Sequence, residues 1–257
     1  MTKISSPSFL YGIHAVSEFL QQYPEQIELI YLLPSGESKE NNLTLLGKQA
    51  AAHKVKVRFH SRFELDRIAQ NNNHQGVIAV CKEYQYQDID QMIKHSKQHK
   101  TPPLLFLLDS VTDPQNLGNL IRSTYVLGGN GVILPKDRSA SVTASVIKAS
   151  TGATSWLSIA QVPNLVRAMQ TLKEEGFWIF GTVVEGPKTQ VPWQVDFSVP
   201  TAFVLGSEGE GLRPLVQKNC DVLLSIPMQG KLKGGSLNVA TCGAILLYEA
   251  MKQRLAK

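Results

Sequence analysis

Three glycine-marked segments hold the side chains best suited to chemistry. The first, DSVTDPQNLGNLIRSTYVLG (109–128), carries a carboxamide at Asn116 and a guanidinium at Arg122. Asp109 ends an apolar run and Pro114 closes a turn, so Asn116 and Arg122 fall early in a predicted helix. Gly118 removes a side chain where something approaches that helix entrance closely. The second, VLGSEGEGLRPLV (204–216), sets Glu208 among Gly206, Gly209 and Gly211. Free backbone N–H groups in such a loop can hold the polar edge of a ligand. A plain strand–helix turn needs one glycine; three argue for close approach by a ligand or another backbone. The third, SIPMQGKLKGGSLNVATCGAILLYEA (225–250), sends apolar Ile226 and Met228 off a strand into a glycine-rich loop. Ser236 then opens a predicted helix, with Leu237 and Asn238 in its first turn. Taken singly, each segment has a plainer structural reading: a capped helix with an exposed arginine, a flexible turn, and a capped helix packed on a sheet.

Other familiar chemistries fail on spacing. GSEGEG (206–211) has glycines first, fourth and sixth, which is not the dinucleotide-binding fingerprint. GTVVEGPKT (181–189) puts Pro187 where a phosphate-loop lysine would follow the glycine. Ser207 lies in no G-x-S-x-G elbow. His95 and His99 are four apart in a polar stretch without a third ligand, so no metal is expected. Cys81, Cys220 and Cys242 are far apart and form no C-x-x-C pair, which excludes a disulfide framework and a zinc ribbon.

These segments need strands to deliver them. LLFLLDS (104–110), GVIL (131–134), WIFGTVV (178–184), TAFVLG (201–206) and VLLSIP (222–227) are nearly continuous apolar runs, as in strands buried on both faces of a parallel sheet. Helical patterns intervene near 117–128, 143–151, 163–175 and 212–219, and a last helix runs from Ser236 to about Arg254. This alternation predicts a doubly wound α/β sheet, with ligands at the carboxyl ends of its strands. Upstream, IELIYLL (27–33), VKVRF (55–59) and GVIAVCK (76–82) read as strands, and 14–22, 43–54 and 62–70 as helices. YQYQDIDQMIKHSKQHKTPP (84–103) is amide-rich and ends in two prolines. It reads as a linker holding a short helix around Ile89, Met92 and Ile93. The predicted domains are therefore 1–83 and 104–257, joined by 84–103.

Composition narrows the class. The 257 residues are 43% hydrophobic and 18% charged, enough apolar content for real cores and against disorder. No run approaches the ~18 apolar residues of a membrane span, and MTKISSPSFLYGIH lacks the apolar stretch of a signal peptide. A soluble, cytoplasmic protein without a membrane partner is expected. The net charge of +5 permits a polyanionic partner. Residues 1–101 hold 12 Lys and Arg against 10 Asp and Glu, and the remainder 14 against 11, so no single basic arm carries the excess.

The stretches DPQNLGNLIRS, LGSEGEGL, and IPM followed by SLNVA, in that order, resemble the SpoU/TrmH branch of the SPOUT RNA methyltransferases. YGIHAVSEFL (11–20) and NHQGVIAV (73–80) resemble the small substrate-binding domain of many members. PKDRSA (135–140) and YEAMKQR (248–254) look most like bacterial enzymes that 2′-O-methylate a guanosine of 23S ribosomal RNA.

The resemblance implies a small amino-terminal α/β (L30e-like) domain and an α/β catalytic domain with a carboxy-terminal trefoil knot. It implies S-adenosylmethionine as methyl donor, ribosomal RNA as partner, and a homodimer with the active site near the interface. It assigns Gly206, Ile226, Met228 and Leu237 to the cofactor, and Asn116, Arg122 and Glu208 to catalysis. A guanidinium is a poor base, so Arg122 would grip a phosphate and stabilise a developing alkoxide. Glu208 would orient Arg122 or accept the proton, and Ser236 and Asn238 would shape the pocket. The loop MQGKLKGGS (228–236) is longer than usual and adds Lys231 and Lys233. Four other readings stay open: a tRNA ribose methyltransferase, a resistance-type methyltransferase acting on an rRNA adenosine, an RNA-binding homologue without catalysis, and an unrelated α/β nucleotide-binding enzyme, whose phosphate loops are missing.

Overall fold

The apolar runs and helical patterns fold into two units in the computed structural model, which describes residues 8–34, 42–70, 73–186, 188–230 and 235–256. The first unit runs to Tyr84 and includes Thr143–Lys148. Its strands are β1 (Ser8–Tyr11), β2 (Ile27–Leu32), β3 (Lys56–Phe59) and β4 (Val77–Cys81), in the order β1-β4-β2-β3. The β-branched, apolar VIAVC is buried at every position and pairs antiparallel with β1 and β2, while β2 and β3 are parallel. Helices α1 (Ile13–Gln22), α2 (Asn42–Ala52) and α3 (Arg62–Ala69) complete the unit. Ser61 and Glu64 start α3 with a reciprocal capping box. The hydrogen bonds from Ser61 hold the Glu64 carboxyl below its usual range.

The second unit holds Gln85–Val142 and Ala149 onward. It contains α4 (Ile89–Ser96), β5 (Leu104–Asp109), α5 (Pro114–Val126) and β6 (Gly131–Pro135), whereas all of α6 (Ala144–Ala149) but its last residue is grouped with the first unit. Then come β7 (Ser158–Val162), α7 (Leu165–Glu174), β8 (Trp178–Thr182), β9 (Thr189–Gln190), β10 (Thr201–Gly206), α8 (Pro214–Lys218), β11 (Val222–Leu224) and α9 (Val239–Leu255). The seven strands are all parallel, in the order β7-β6-β5-β10-β8-β11-β9. The chain moves outward from β5 through β6 to β7, then crosses to the other side. The order therefore reverses between β5 and β10, whose last residues, Asp109 and Gly206, lie in register.

Both faces of this sheet are covered. Leu105 and Leu107 of β5 join Met92 and Ile93 of α4 and Leu165, Met169 and Leu172 of α7 in one core. Phe106 turns the other way, and its ring lies 5.5 Å from that of Phe203. There α5 and α9 pack together, and a Cβ on Gly243 would come within 2.2 Å of Leu120. Arg254 anchors the end of α9 through Phe197 O at 2.9 Å and Val199 O at 3.2 Å. Burial pulls its pKa down to about 10.

The short helix expected within 84–103 forms as α4, capped by Asp88, and it joins the second unit's core, with Met92 fully buried and Ile93 nearly so. Strands β1 and β9 have no counterpart in the sequence reading. Strand β7 was not expected; SIAQV is an edge strand whose Ser158 and Gln161 break the apolar run. The last helix starts at Val239 with Asn238 as its cap, whereas Ser236 lies two residues before that cap. Lys231 and Lys233 fall outside the described residues.

Candidate active site

The parallel sheet brings the ends of β8, β10 and β11 to one edge, where they floor a cleft. Gly206 ends β10 and begins a loop that turns sharply enough for Ser207 and Gly211 to exchange backbone hydrogen bonds at 3.2 and 3.0 Å. Only glycine fits at 206, because a Cβ there would lie 2.2 Å from the carbonyl carbon of Gly211. Gly211 itself has φ +69°, a backbone region that favours glycine.

The cleft measures ≈ 600 Å³ counted to its open mouth. Gly206, Ile226, Met228 and Leu237 all line it, together with Leu205, Leu224 and Val239. Thus the four residues expected to hold a cofactor come together, Gly206 from the second segment and Ile226, Met228 and Leu237 from the third. The backbone N–H groups of Ile226, Met228 and Leu237 make no hydrogen bond among the described residues. An apolar slot rimmed by such free backbone groups suits a flat heteroaromatic ring with polar edges. Thr182, Val183 and Cys242 also line the slot and carried no signal in the sequence. Burial pushes the Cys242 thiol up to about 11, partly offset by a hydrogen bond with Thr182.

A polar cluster borders the slot at Glu208. Glu208 Oε1 accepts from Asn116 Nδ2 at 2.9 Å and from Asn238 Nδ2 at 2.7 Å. Asn238 Nδ2 also donates to Asn116 Oδ1 at 2.7 Å. Asn238 Oδ1 meanwhile caps α9, accepting from Ala240 N at 3.0 Å and Thr241 N at 3.2 Å. One side chain therefore fixes the helix start and joins the first, second and third segments. The Ser236 hydroxyl donates to the Glu208 carbonyl at 3.3 Å. Glu208 Oε2 keeps no hydrogen bond among the described residues.

Arg122 stands apart. Six residues beyond Asn116 on α5, it is turned about 120° from it around the helix axis. Its side chain is exposed and pairs with nothing among the described residues. Glu208 is bound by Asn116 and Asn238, not by Arg122.

A further pair, unmarked in the sequence, braces the glycine loop. Asp109, fully buried at the end of β5, accepts from Arg213 Nε at 2.6 Å and from Arg213 N at 2.8 Å. An ion pair with one buried partner and two hydrogen bonds fixes where the loop after Gly206 rejoins the sheet. Its two residues lie 104 positions apart, so only the fold reveals it. Among the described residues, no group of three or more His, Cys, Asp or Glu side chains could hold a metal ion. Nor is any helix long and apolar enough to cross a membrane.

Comparison with known proteins bears on this geometry. The SpoU rRNA Methylase family matches residues 103–248, and a domain described as RNA 2′-O ribose methyltransferase substrate binding matches residues 9–87. The 23S rRNA (guanosine-2′-O-)-methyltransferase RlmB of Vibrio parahaemolyticus is 41% identical over 98% of this chain and 99% of its own. An uncharacterized tRNA/rRNA methyltransferase of Synechocystis sp. is 41% identical over 95% of this chain, which spans 62% of that relative's length. Among solved structures, the SpoU methyltransferase AviRb from Streptomyces viridochromogenes, crystallised with AdoMet, shares the fold. It gives a TM-score of 0.64 at 23% identity, covering 97% of this chain and 91% of that chain.

Proposed function

Because the chain belongs to the SpoU rRNA methylase family, we propose that it methylates a guanosine ribose 2′-hydroxyl of 23S ribosomal RNA, with S-adenosylmethionine as donor. The observation that carries this reading is the apolar slot lying directly against the Asn116–Glu208–Asn238 cluster. The slot fits the donor: apolar walls for an adenine and unpaired backbone N–H groups for its edge. Gly206, Ile226, Met228 and Leu237 would hold it. When bound, this donor supplies an electrophilic methyl group.

The rest of the chemistry falls to the chain. A ribose hydroxyl is a poor nucleophile near neutral pH, so it must be held in line and lose its proton as the new bond forms. The free Oε2 of Glu208 is the proton acceptor in this reading, and Asn116 and Asn238 hold that carboxylate in place. Arg122 binds the phosphate next to the target ribose and stabilises charge developing on the oxygen. Its distance from the cluster within one chain is met by assembly as a homodimer, with the exposed α5 face at the interface. Tyr125, Val126 and Tyr248 are large exposed side chains on α5 and α9 that such an interface would cover. A single mass of 28.3 kDa in light scattering at micromolar concentration would refute the dimer.

Residues 1–83 are assigned to RNA choice and 104–257 to chemistry, and the segment after β10 to a trefoil knot. A ribosomal RNA substrate supports a cytoplasmic location. The deciding experiment adds purified protein and labelled methyl donor to undermodified 23S rRNA and maps the nucleotide that gains the 2′-methyl. Label appearing only in tRNA would move the substrate, and no label in either RNA would remove the activity.

A further inference from the structure

The pair with Asp109 uses only part of Arg213. Its Nε and backbone N–H are taken, while its two terminal nitrogens bond nothing among the described residues. Arg213 also lines a second cleft in the same unit, of ≈ 800 Å³ counted to its open mouth. This cleft lies at the carboxyl ends of β6 and β7, where Pro135 and Pro163 form part of its wall. The donor slot lies at the ends of β8, β10 and β11. In strand order, β5 and its terminal Asp109 stand between the two.

Arg138 supplies a second guanidinium to this cleft. Its loop is pinned at both ends, by Lys136 N to Val162 O at 2.8 Å and by Ala140 N to Val111 O at 2.9 Å. The side chain is exposed and has no ion pair among the described residues. Asp137 is the one carboxylate in the lining and Arg213 is already paired with Asp109, so the exposed Arg138 and the terminal nitrogens of Arg213 are what the cleft offers an anion. Leu215, 62% exposed, adds an apolar wall beside those cations.

We propose that this cleft binds one phosphodiester of the RNA strand that runs on from the target nucleotide, between Arg138 and Arg213, with the adjoining ribose or base against Leu215 and Pro163. The assignment rests on the RNA-methylating reading above and adds a place where the substrate is gripped. The apolar wall matches a nucleotide and offers nothing to a lone ion. Arg213 thereby links the two sites, since the side chain that braces the donor loop also meets the RNA.

Arg138→Gly is the informative variant, because φ at this position is +58° and glycine accepts that backbone without strain. In the full chain, it should weaken binding of a 23S rRNA fragment about fivefold, the effect of one exposed charge contact. It should also reduce the slope of log affinity against log salt by ~0.7, the release expected for one contact on single-stranded RNA. Arg138→Lys should restore most of the salt slope, since it keeps the charge. Donor affinity, measured by calorimetry, should stay within about twofold, because the donor slot is separate. RNA affinity and salt slope unchanged in Arg138→Gly would overturn the subsite. So would inorganic phosphate that displaces RNA from the wild type more than chloride of equal ionic strength, which would mark a free-anion site. Failure of the methylating reading looks different: the wild type would leave rRNA unmethylated whatever the affinities of the Arg138 variants.

Discussion

The two sheets use the same α/β vocabulary and place their strand ends differently. In the first unit, β4 runs antiparallel to both neighbours, so strand ends are divided between two edges. Its polar pairs run from local, Ser61 with Glu64 three residues on and His74 with Asp66 eight residues back at 2.8 Å, to Ser17 with Gln49 and Ile13 N with Gln75, 32 and 62 positions apart. In the second unit every strand is parallel, and all carboxyl ends meet at one edge. Its polar pairs span the chain, with Asn116 and Glu208 92 positions apart and Asn116 and Asn238 122 apart. A parallel sheet concentrates strand-end residues from distant segments, which is what a composite active site requires. The antiparallel centre of the first unit suits a surface that binds, without assembling reacting groups.

The largest expected effect tests whether chemistry is confined to the second unit. Arg122→Ala should lower single-turnover methyl transfer at saturating RNA by ~10³-fold or more, in line with loss of a group that stabilises developing charge. Donor affinity should stay within a few-fold, because Arg122 is not part of the slot. Arg122→Lys should also fail, since an ammonium cannot make a bidentate phosphate contact. A fully active Arg122→Ala protein would remove the residue from the reaction.

Next in size is a matched pair of glycines, one from each unit. At Gly206 an added Cβ meets backbone at 2.2 Å, and backbone cannot swing aside as a flexible side chain can. Gly206→Ala should therefore weaken donor binding by ~10²-fold through displacement of the loop. Gly12 has φ +95°, but its Cβ would meet only the tip of Gln75 at 3.6 Å. Gly12→Ala should cost about 1–3 kcal/mol of stability in the first unit from backbone strain and leave donor affinity alone. Equal loss of donor binding in both variants, by calorimetry, would break the proposed division.

What the sequence revealed follows the same line. The second unit's strands were legible because burial on both faces makes them continuous apolar runs, as in LLFLLD. The edge strand SIAQV was not, because Ser158 and Gln161 interrupt its apolar run although four of its five positions are buried. The four slot residues were legible by resemblance, and the glycine spacing gave that assignment a physical reason at Gly206. Asn238 as the hub and the Asp109–Arg213 brace were not, because both depend on register between β5 and β10. The short helix within 84–103 was legible from Ile89, Met92 and Ile93, but the polar composition around them hid that these three seat it in a core.

That helix sharpens where the second unit begins, with a smaller effect. A chain starting at Gln85 keeps α4 and should bind the donor with near-normal affinity, while binding RNA weakly. A chain starting at Thr101 loses Met92 and Ile93 from the core. Each is a large buried side chain, and such losses cost ~2–5 kcal/mol apiece. The longer chain should therefore melt well above the shorter one. Equal melting temperatures would return 84–103 to the status of a passive linker, and strong RNA binding by either chain would deprive residues 1–83 of their assigned role.

The smallest effect compares the thiols of the two units. Burial pushes Cys81 in the first unit up to about 12, and Cys220 in the second also to about 12. Burial favours the neutral thiol, so the folded chain releases these protons less readily than the unfolded one. The resulting stabilisation is fully present below pH 9, the unperturbed value. It is lost as pH rises from there toward about 12, because the unfolded thiolate gains a proton-release advantage the folded chain lacks. At one pH unit above the unperturbed value the loss is about 1.4 kcal/mol for a fully buried thiol. Lysines titrate in the same window, so the measurement must be a difference. The destabilisation caused by Cys81→Ala, read from urea melts, should shrink by about 1 kcal/mol between pH 8 and pH 10. Cys220→Ala should show the same trend over the same window, because burial pushes its thiol up as far, with the Lys173 ammonium lowering it and the Asp221 and Asp109 carboxylates raising it. A Cys81→Ala difference that does not change with pH would mean that this thiol ionises as freely folded as unfolded.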